Sequence, residues 1–301
     1  MRAAVVTTFG GPEAVEIIET DMPEPATGQV RIKVAAATLN PADAAVRQGV
    51  FGGAGRQLGL GWDVAGTVDA AGTTVGAAAD WSVGDEVVAL LFAMGTSLGT
   101  HADYVIVDAD AVAKAPTTVA AAHAATLPLN ALTATQALDQ LDVQKGQSLL
   151  VTGAAGAVGG YAVQLAAHRG ISVTAVARES DEQLVRSLGA AHFASPGAVE
   201  AGSVDAVFDT AVLGEAALEW VRDGGAYVGV IPQGAPASVR GVRTDAVSVT
   251  PDGARLTELV ALLDEGVLTA RVAETYALAD AIKAHARLAE GGVRGRIVLV
   301  P

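Results

Sequence analysis

Leu149-Leu150-Val151-Thr152-Gly153-Ala154-Ala155-Gly156-Ala157-Val158-Gly159-Gly160 is an apolar run that breaks into a glycine-rich turn. It passes at once into a helical pattern in which Tyr161, Val163, Leu165 and Ala166 sit among small residues. Strand, glycine turn, helix is the context in which this spacing means dinucleotide binding. Gly153 is expected to turn the chain tightly at the strand end. Gly156 lets backbone amides approach a pyrophosphate, which the positive end of the new helix stabilises. Gly159, without a Cβ, lets the helix pack closely on the strand. Ala154, Ala155, Ala157 and Val158 complete the cradle.

The next apolar run, residues 171–177, ends in Arg178-Glu179-Ser180. An acidic side chain at that strand tip bonds the ribose 2′-hydroxyl and selects NAD, whereas a nearby Arg accommodates the 2′-phosphate of NADP. The guanidinium of Arg178 is a planar fork suited to a phosphate, with Ser180 as its helper. Glu179 comes one place too late for the acidic role, although it keeps NAD open. The expected cofactor is NADPH.

Outward from this turn the chain falls into three stretches. Residues 1–117 read as short strands, at 3–7, 16–19, 30–36, 65–70, 86–91 and 102–107, punctuated by Gly10-Gly11-Pro12, Pro23-Glu24-Pro25 and Val83-Gly84-Asp85. That spacing predicts a partly open β-barrel. From residue 118, helices at 117–125 and 132–141 lead into strands at 148–152, 171–177, 204–209 and 225–230, separated by helices at 157–169, 180–188 and 214–222. Such alternation predicts a doubly wound parallel sheet, a Rossmann α/β architecture. Thr210, Ala211 and Val212 follow one of these strands, and Gly229, Val230 and Ile231 end the next. Both sets lie at carboxyl ends, where a dinucleotide runs. A helix at 254–264 precedes a return to the first pattern, with a helix at 280–290 and a strand at 295–300. The expected domains are 1–117 with 267–301, and 118–266 inserted between them.

The chain has 301 residues, 51% of them hydrophobic and 17% charged, a composition suited to a packed α/β enzyme with two lobes. A net charge of −14 argues against nucleic acid or an anionic membrane surface as partner. No apolar run is long enough to span a bilayer, and no leader-like apolar segment follows Arg2, so the expected location is the cytoplasm. There is no cysteine to signal a compartment.

Several motifs stand in order along the chain: Asn40-Pro41-Ala42-Asp43 with Arg47-Gln48-Gly49, Gly61-Trp62-Asp63-Val64-Ala65-Gly66, Val83-Gly84-Asp85-Glu86-Val87 and Leu127-Pro128-Leu129-Asn130-Ala131-Leu132-Thr133-Ala134. Gly153 to Gly159, Arg186-Ser187-Leu188-Gly189-Ala190 and Gly295-Arg296-Ile297-Val298 complete the set. Together, end to end, they resemble the medium-chain dehydrogenase/reductase superfamily, in its zinc-independent quinone oxidoreductase (zeta-crystallin-like) branch. The resemblance implies a GroES-like barrel beside the Rossmann lobe, an active site in the cleft between them, and a homodimer. It implies no metal. Asn40 stands where zinc-dependent relatives place a thiolate ligand and Trp62 where they place a histidine. The five histidines, at 101, 123, 168, 192 and 285, are scattered.

The resemblance also implies roles. Asn40 either orients the cofactor carboxamide or donates to a substrate carbonyl; as a residue before Pro41 it equally suits an Asx turn. Thr133 is expected to contact the nicotinamide amide, with Asn130 one turn earlier on the substrate side. Arg296 joins the cofactor contacts. Trp62 either walls the pocket or packs in the core. Phe51 fills a position where many relatives carry a tyrosine, so a hydroxyl proton donor is missing there. Pro196 likewise replaces a tyrosine expected near the adenine phosphate. Asp43 and Arg47, one helical turn apart, are expected to pair with each other. His101 reads as a satisfied strand histidine or a proton donor.

The reading that follows is NADPH-dependent hydride transfer to a quinone or an activated alkene such as an α,β-unsaturated carbonyl. The alternatives are a 2-enoyl thioester or polyketide-type enoyl reductase, and a low-turnover NADPH-binding redox sensor.

Overall fold

The computed structural model describes residues 1–73 and 81–301. They form two compact units: Met1–Leu129 with Thr250–Glu265 and Ala270–Pro301, and Asn130–Val249 with Gly266–Thr269.

The second unit is built on Ser148–Thr152. Its sheet runs His192–Ala194, Ser172–Val176, Ser148–Thr152, Val204–Asp209, Val221–Gly229, Arg243–Ala246, with every pairing parallel. Counted along the chain this is the doubly wound order, reversing direction between Ser148–Thr152 and Val204–Asp209. Leu150, Val176, Val207, Leu218 and Tyr227 are among its buried core. Strands 148–152 and 204–209 lie where the apolar runs put them. The helix expected over 214–222 is only Glu215–Leu218, because Val221 already pairs with Val204 and Arg222 bonds Asp205 at 2.7 Å. The two edge strands, His192–Ala194 and Arg243–Ala246, are only three and four residues long, too short to show an apolar alternation.

In the first unit the organising element is Gln29–Leu39. Its burial alternates as far as Ala36 and is then continuous through Leu39. One edge pairs with Asp63–Ala71. The other pairs with Tyr104–Asp108 over Gln29–Lys33, then with Arg296–Val300 over Ala37–Leu39. The apolar alternation predicts a strand ending at Ala36; the partner from the far end of the sequence extends it to Leu39 and delivers Asn40 at its tip. The full sheet path is Val272–Ala277, Arg296–Val300, Gln29–Leu39, Asp63–Ala71, Glu86–Leu90, Val112–Lys114, the partly open barrel arrangement expected. Glu16–Glu19, Arg2–Val6 and Leu58–Gly59 form a smaller sheet beside it.

The boundaries read from sequence, 117/118 and 266/267, differ from the structural grouping, which puts residues 118–129 and the helix Gly253–Asp264 with the first unit. A Cβ on Gly253 would stand 2.4 Å from the Asp110 carbonyl oxygen, so the helix start is pressed against the barrel backbone. At its other end Asp264 accepts from the backbone N–H groups of Thr117 and Thr118. Among the described residues no helix is long and apolar enough to cross a membrane.

Candidate active site

In the second unit Gly153 leaves its strand at φ +57°, and the Gly156 N–H closes the turn on the Gly153 carbonyl at 2.8 Å. Gly156 caps the helix Ala157–His168. A Cβ on Gly159 would lie 2.5 Å from the Gly153 oxygen and 2.9 Å from the Ala154 Cα, both backbone atoms, so only glycine permits this approach. The first-turn amides of such a helix lack helical acceptors, and its positive pole favours an anion. The Ala154 N–H donates to the Val176 carbonyl at 3.2 Å, which ties the turn to the tip of the neighbouring strand. Two residues on stands Arg178, extended and exposed, in no ion pair among the described residues. Glu179 and Ser180 follow it in an exposed 3₁₀ turn.

A second set of contacts braces the loop after Val204–Asp209. Thr152 Oγ1 donates to Asp209 Oδ1 at 2.6 Å and accepts from the Ala211 N–H at 3.0 Å. Thr210 Oγ1 donates to the Thr152 carbonyl at 2.6 Å. Asp209 Oδ2 accepts from the Tyr227 hydroxyl at 2.9 Å and the Gly214 N–H at 2.8 Å. Burial, with Asp209 alongside, raises the Tyr227 pKa and keeps that hydroxyl a donor. Between these tethers Val212 takes φ +59°. Left-handed backbone costs a non-glycine residue roughly 1–2 kcal/mol, and Val212 is 59% exposed, so packing does little to offset it. Val212→Gly is therefore expected to raise the unfolding midpoint by about 2 °C after the entropic penalty of glycine. Scanning calorimetry reads this, and an unchanged or lower midpoint refutes the strain. Gly229 is buried, Val230 half-buried and Ile231 exposed at the adjoining strand end.

The first unit holds a buried polar cluster where Gln29–Leu39 meets the helix Pro41–Arg47. Asp63 Oδ2 accepts from Thr38 Oγ1 at 2.5 Å and from Asn40 Nδ2 at 2.7 Å, and its Oδ1 accepts from the Leu129 N–H. Burial pushes the Asp63 carboxyl up to about 6, against the pull of these donors and the charge of Arg296. The second Nδ2 hydrogen of Asn40 goes to Thr38 Oγ1 at 3.1 Å. The amide nitrogen of Asn40 is thus committed within the cluster, and the side chain braces rather than donates outward. Asp43 accepts from the Asn40 N–H at 2.7 Å and the Gly61 N–H at 2.6 Å. Burial raises its pKa, with His101, these donors and Arg296 opposing. The expected Asp43–Arg47 pair does not form: Asp43 is consumed by backbone donors, and Arg47 Nη1 donates to the Gly10 carbonyl at 2.6 Å. His101 donates from Nε2 to the Thr38 carbonyl at 2.8 Å and lies edge-on to His285. Burial first, then His101 and Arg47, push His285 down to about 3, so it stays neutral.

Trp62 is buried beside Asp63, its ring edge-on to Phe92 at 5.5 Å. Phe51 is exposed. Asn130 and Thr133 are both buried, three positions apart on the helix Pro128–Leu141, hence on one face. Asn40, Phe51, Trp62 and Arg296 belong to the first unit; Asn130, Thr133 and the glycine-turn residues belong to the second. Asp63 was given no role from sequence. The signal was available: a lone acid inside the otherwise uncharged run Gln57–Val68 is costly to bury unless its oxygens are used.

Among the described residues no group of three or more His, Cys, Asp or Glu is placed to hold a metal ion. Residues 26–117 match the model for the alcohol dehydrogenase GroES-like domain, and residues 182–299 the model for zinc-binding dehydrogenase. The NADPH-dependent alkenal/one oxidoreductase of Arabidopsis thaliana chloroplasts is 32% identical over 88% of this chain and 70% of its own length. The chloroplastic quinone-oxidoreductase QR1 of Triphysaria versicolor is 30% identical, over 100% of this chain and 98% of its own. The solved quinone oxidoreductase from Coxiella burnetii superposes with a TM-score of 0.88 at 27% identity, covering 100% of this chain and 99% of that one.

Proposed function

This chain belongs to the medium-chain dehydrogenase/reductase superfamily, in its zinc-independent quinone oxidoreductase branch, and on that footing we propose that it reduces a quinone or an activated alkene with NADPH. The observation that carries the reading is the Gly153–Gly159 turn with Arg178, exposed and in no ion pair among the described residues, at the neighbouring strand tip. Bound there, NADPH supplies a hydride from its nicotinamide. The turn and the start of the helix Ala157–His168 hold the pyrophosphate. Arg178 and Ser180 take the 2′-phosphate. Thr210, Ala211, Val212 and the Gly229–Ile231 strand end line the path of the dinucleotide. Thr133 fixes the ring amide, and Asn130 faces the substrate.

The Thr38–Asn40–Asp63 cluster contributes rigidity: it pins the strand tip and, through the Leu129 N–H, the first turn of the helix that carries Thr133. Phe51 has no proton to give, so solvent protonates the reduced product. The exposed edge strand Arg243–Ala246 supports the homodimer, since a free strand edge readily pairs with another chain. A cytoplasmic location completes the reading.

The test is oxidation of NADPH and of NADH, followed by loss of nicotinamide absorbance, against panels of quinones and enones. Turnover with NADPH is expected, and binding without any turnover refutes the reductase. Treatment with a strong metal chelator is expected to leave the rate unchanged; loss of activity restored by zinc would overturn the metal-free reading.

A further inference from the structure

In the second unit the sheet order reverses between Ser148–Thr152 and Val204–Asp209, and an open parallel sheet takes its ligands in the crevice beyond the carboxyl ends at such a point. Two segments leave those ends, the glycine turn after Thr152 and the loop 210–214 after Asp209. They touch: a Cβ on Gly153 would stand 2.9 Å from Thr210 Oγ1 and 3.4 Å from the Ala211 Cβ. Whatever fixes the loop therefore shapes the crevice.

Asp209 is what fixes it. Its side chain is fully buried and accepts three hydrogen bonds, from Thr152 Oγ1, from the Tyr227 hydroxyl and from the Gly214 N–H. Thr152 ends the strand on one side, Tyr227 lies in the strand on the other, and Gly214 closes the loop itself. Because Thr152 Oγ1 also accepts from the Ala211 N–H, both ends of the loop hang on one carboxyl group and one hydroxyl. Gly229 leaves room for the third member, since a Cβ there would lie 3.2 Å from the Tyr227 hydroxyl oxygen. Between the tethers the backbone is held where it is not at rest, with Val212 at φ +59°. Strain of this kind persists only where the surroundings over-determine it, and it gathers at ligand sites.

We infer that Thr152, Asp209 and Tyr227 are positioning residues for the dinucleotide: buried behind the crevice, they hold the loop 210–214 in the one arrangement that receives it. This rests on the reductase reading in placing a dinucleotide there. Their contribution is pre-organisation. With a tether lost the loop samples other arrangements, and the apparent Kd rises in inverse proportion to the fraction still competent. One hydrogen bond biases such an equilibrium about two- to tenfold. Arg178 follows the strand on the far side of Ser148–Thr152, so the loss falls equally on NADPH and NADH.

The experiment measures Kd for NADPH and for NADH by titration calorimetry, together with the unfolding midpoint, for the wild type, Tyr227→Phe, Thr152→Val and Thr152→Ser. Phenylalanine and valine keep the shape and remove the hydroxyl, whereas serine keeps the hydroxyl. Tyr227→Phe and Thr152→Val are expected to raise Kd about two- to tenfold, by the same factor for both dinucleotides, while Thr152→Ser binds as the wild type does. In turnover, KM for NADPH is expected to rise by that factor with kcat at saturating cofactor unchanged. A lower midpoint with both Kd values unchanged overturns the inference, since the network would then serve the fold alone. So does a serine variant as weak as the valine one, because the hydroxyl would then not be what positions the loop. A loss confined to NADPH overturns it too, by placing the effect at the 2′-phosphate. If the wild type binds neither dinucleotide, the reductase reading falls first and this inference with it. Binding without reduction of any quinone or enone removes the reductase alone, and the affinities still decide the role of the network.

Discussion

An Asp63→Ala variant is expected to lose about 3 kcal/mol of stability, because Thr38, Asn40 and Leu129 would each lose a buried hydrogen bond to a carboxylate oxygen. Asp63 also gives the stability a pH dependence of unusual sign for a carboxylate. Its folded pKa, about 6, lies above the ordinary 3.8, so the folded state holds the proton more tightly than the unfolded state does. Its contribution is therefore greatest below pH ~4, falls as pH rises towards ~6, and is flat beyond, a difference of about 3 kcal/mol. Denaturant midpoints at about pH 4.5 and about pH 7 for the wild type and Asp63→Asn read this directly. Asparagine should remove the fall while costing stability throughout, since its own N–H₂ must face a donor. Equal pH slopes in the two proteins would show that the group does not titrate in this window.

Arg178→Ala carries the largest functional effect. Removing a guanidinium from a 2′-phosphate is expected to weaken NADPH by about 1–3 kcal/mol, roughly five- to 150-fold in Kd, while leaving NADH nearly unchanged. Arg178 makes no ion pair within the fold among the described residues, so the substitution should not disturb stability, and calorimetry separates the two effects. Equal losses for NADPH and NADH would move the phosphate contact elsewhere.

What was legible in the sequence is what local pattern controls. The glycine turn, the strands at 148–152 and 204–209 and the position of Arg178 follow from apolar periodicity and from where glycine is the only residue that fits. The buried cluster was not legible, because its members come together from Thr38, Asp63, His101 and Leu129, and only the sheet register reveals the meeting. The same register carried Gln29–Leu39 past its alternating pattern and committed the Asn40 amide inward. Val212 gave no warning for the opposite reason. A turn at positive φ usually advertises itself with glycine or asparagine, and here a valine occupies it under the restraint of Thr152 and Asp209.

The order in which the sheet of the first unit is assembled has a consequence for synthesis. All of the second unit except Gly266–Thr269 lies in Asn130–Val249, so its strands have all emerged before the first unit is complete. Gln29–Leu39, made long before, waits for Arg296–Val300 to cover its second edge at Ala37–Leu39. At about 5–20 residues per second, the roughly 260 intervening residues keep that edge open for some tens of seconds. A nascent chain arrested just before Arg296 is therefore expected to protect amides around Leu150 and Val207 from hydrogen exchange while those of Ala37 and Leu39 still exchange. For that interval the exposed edge, beside an apolar face, is where a chaperone has the most to cover.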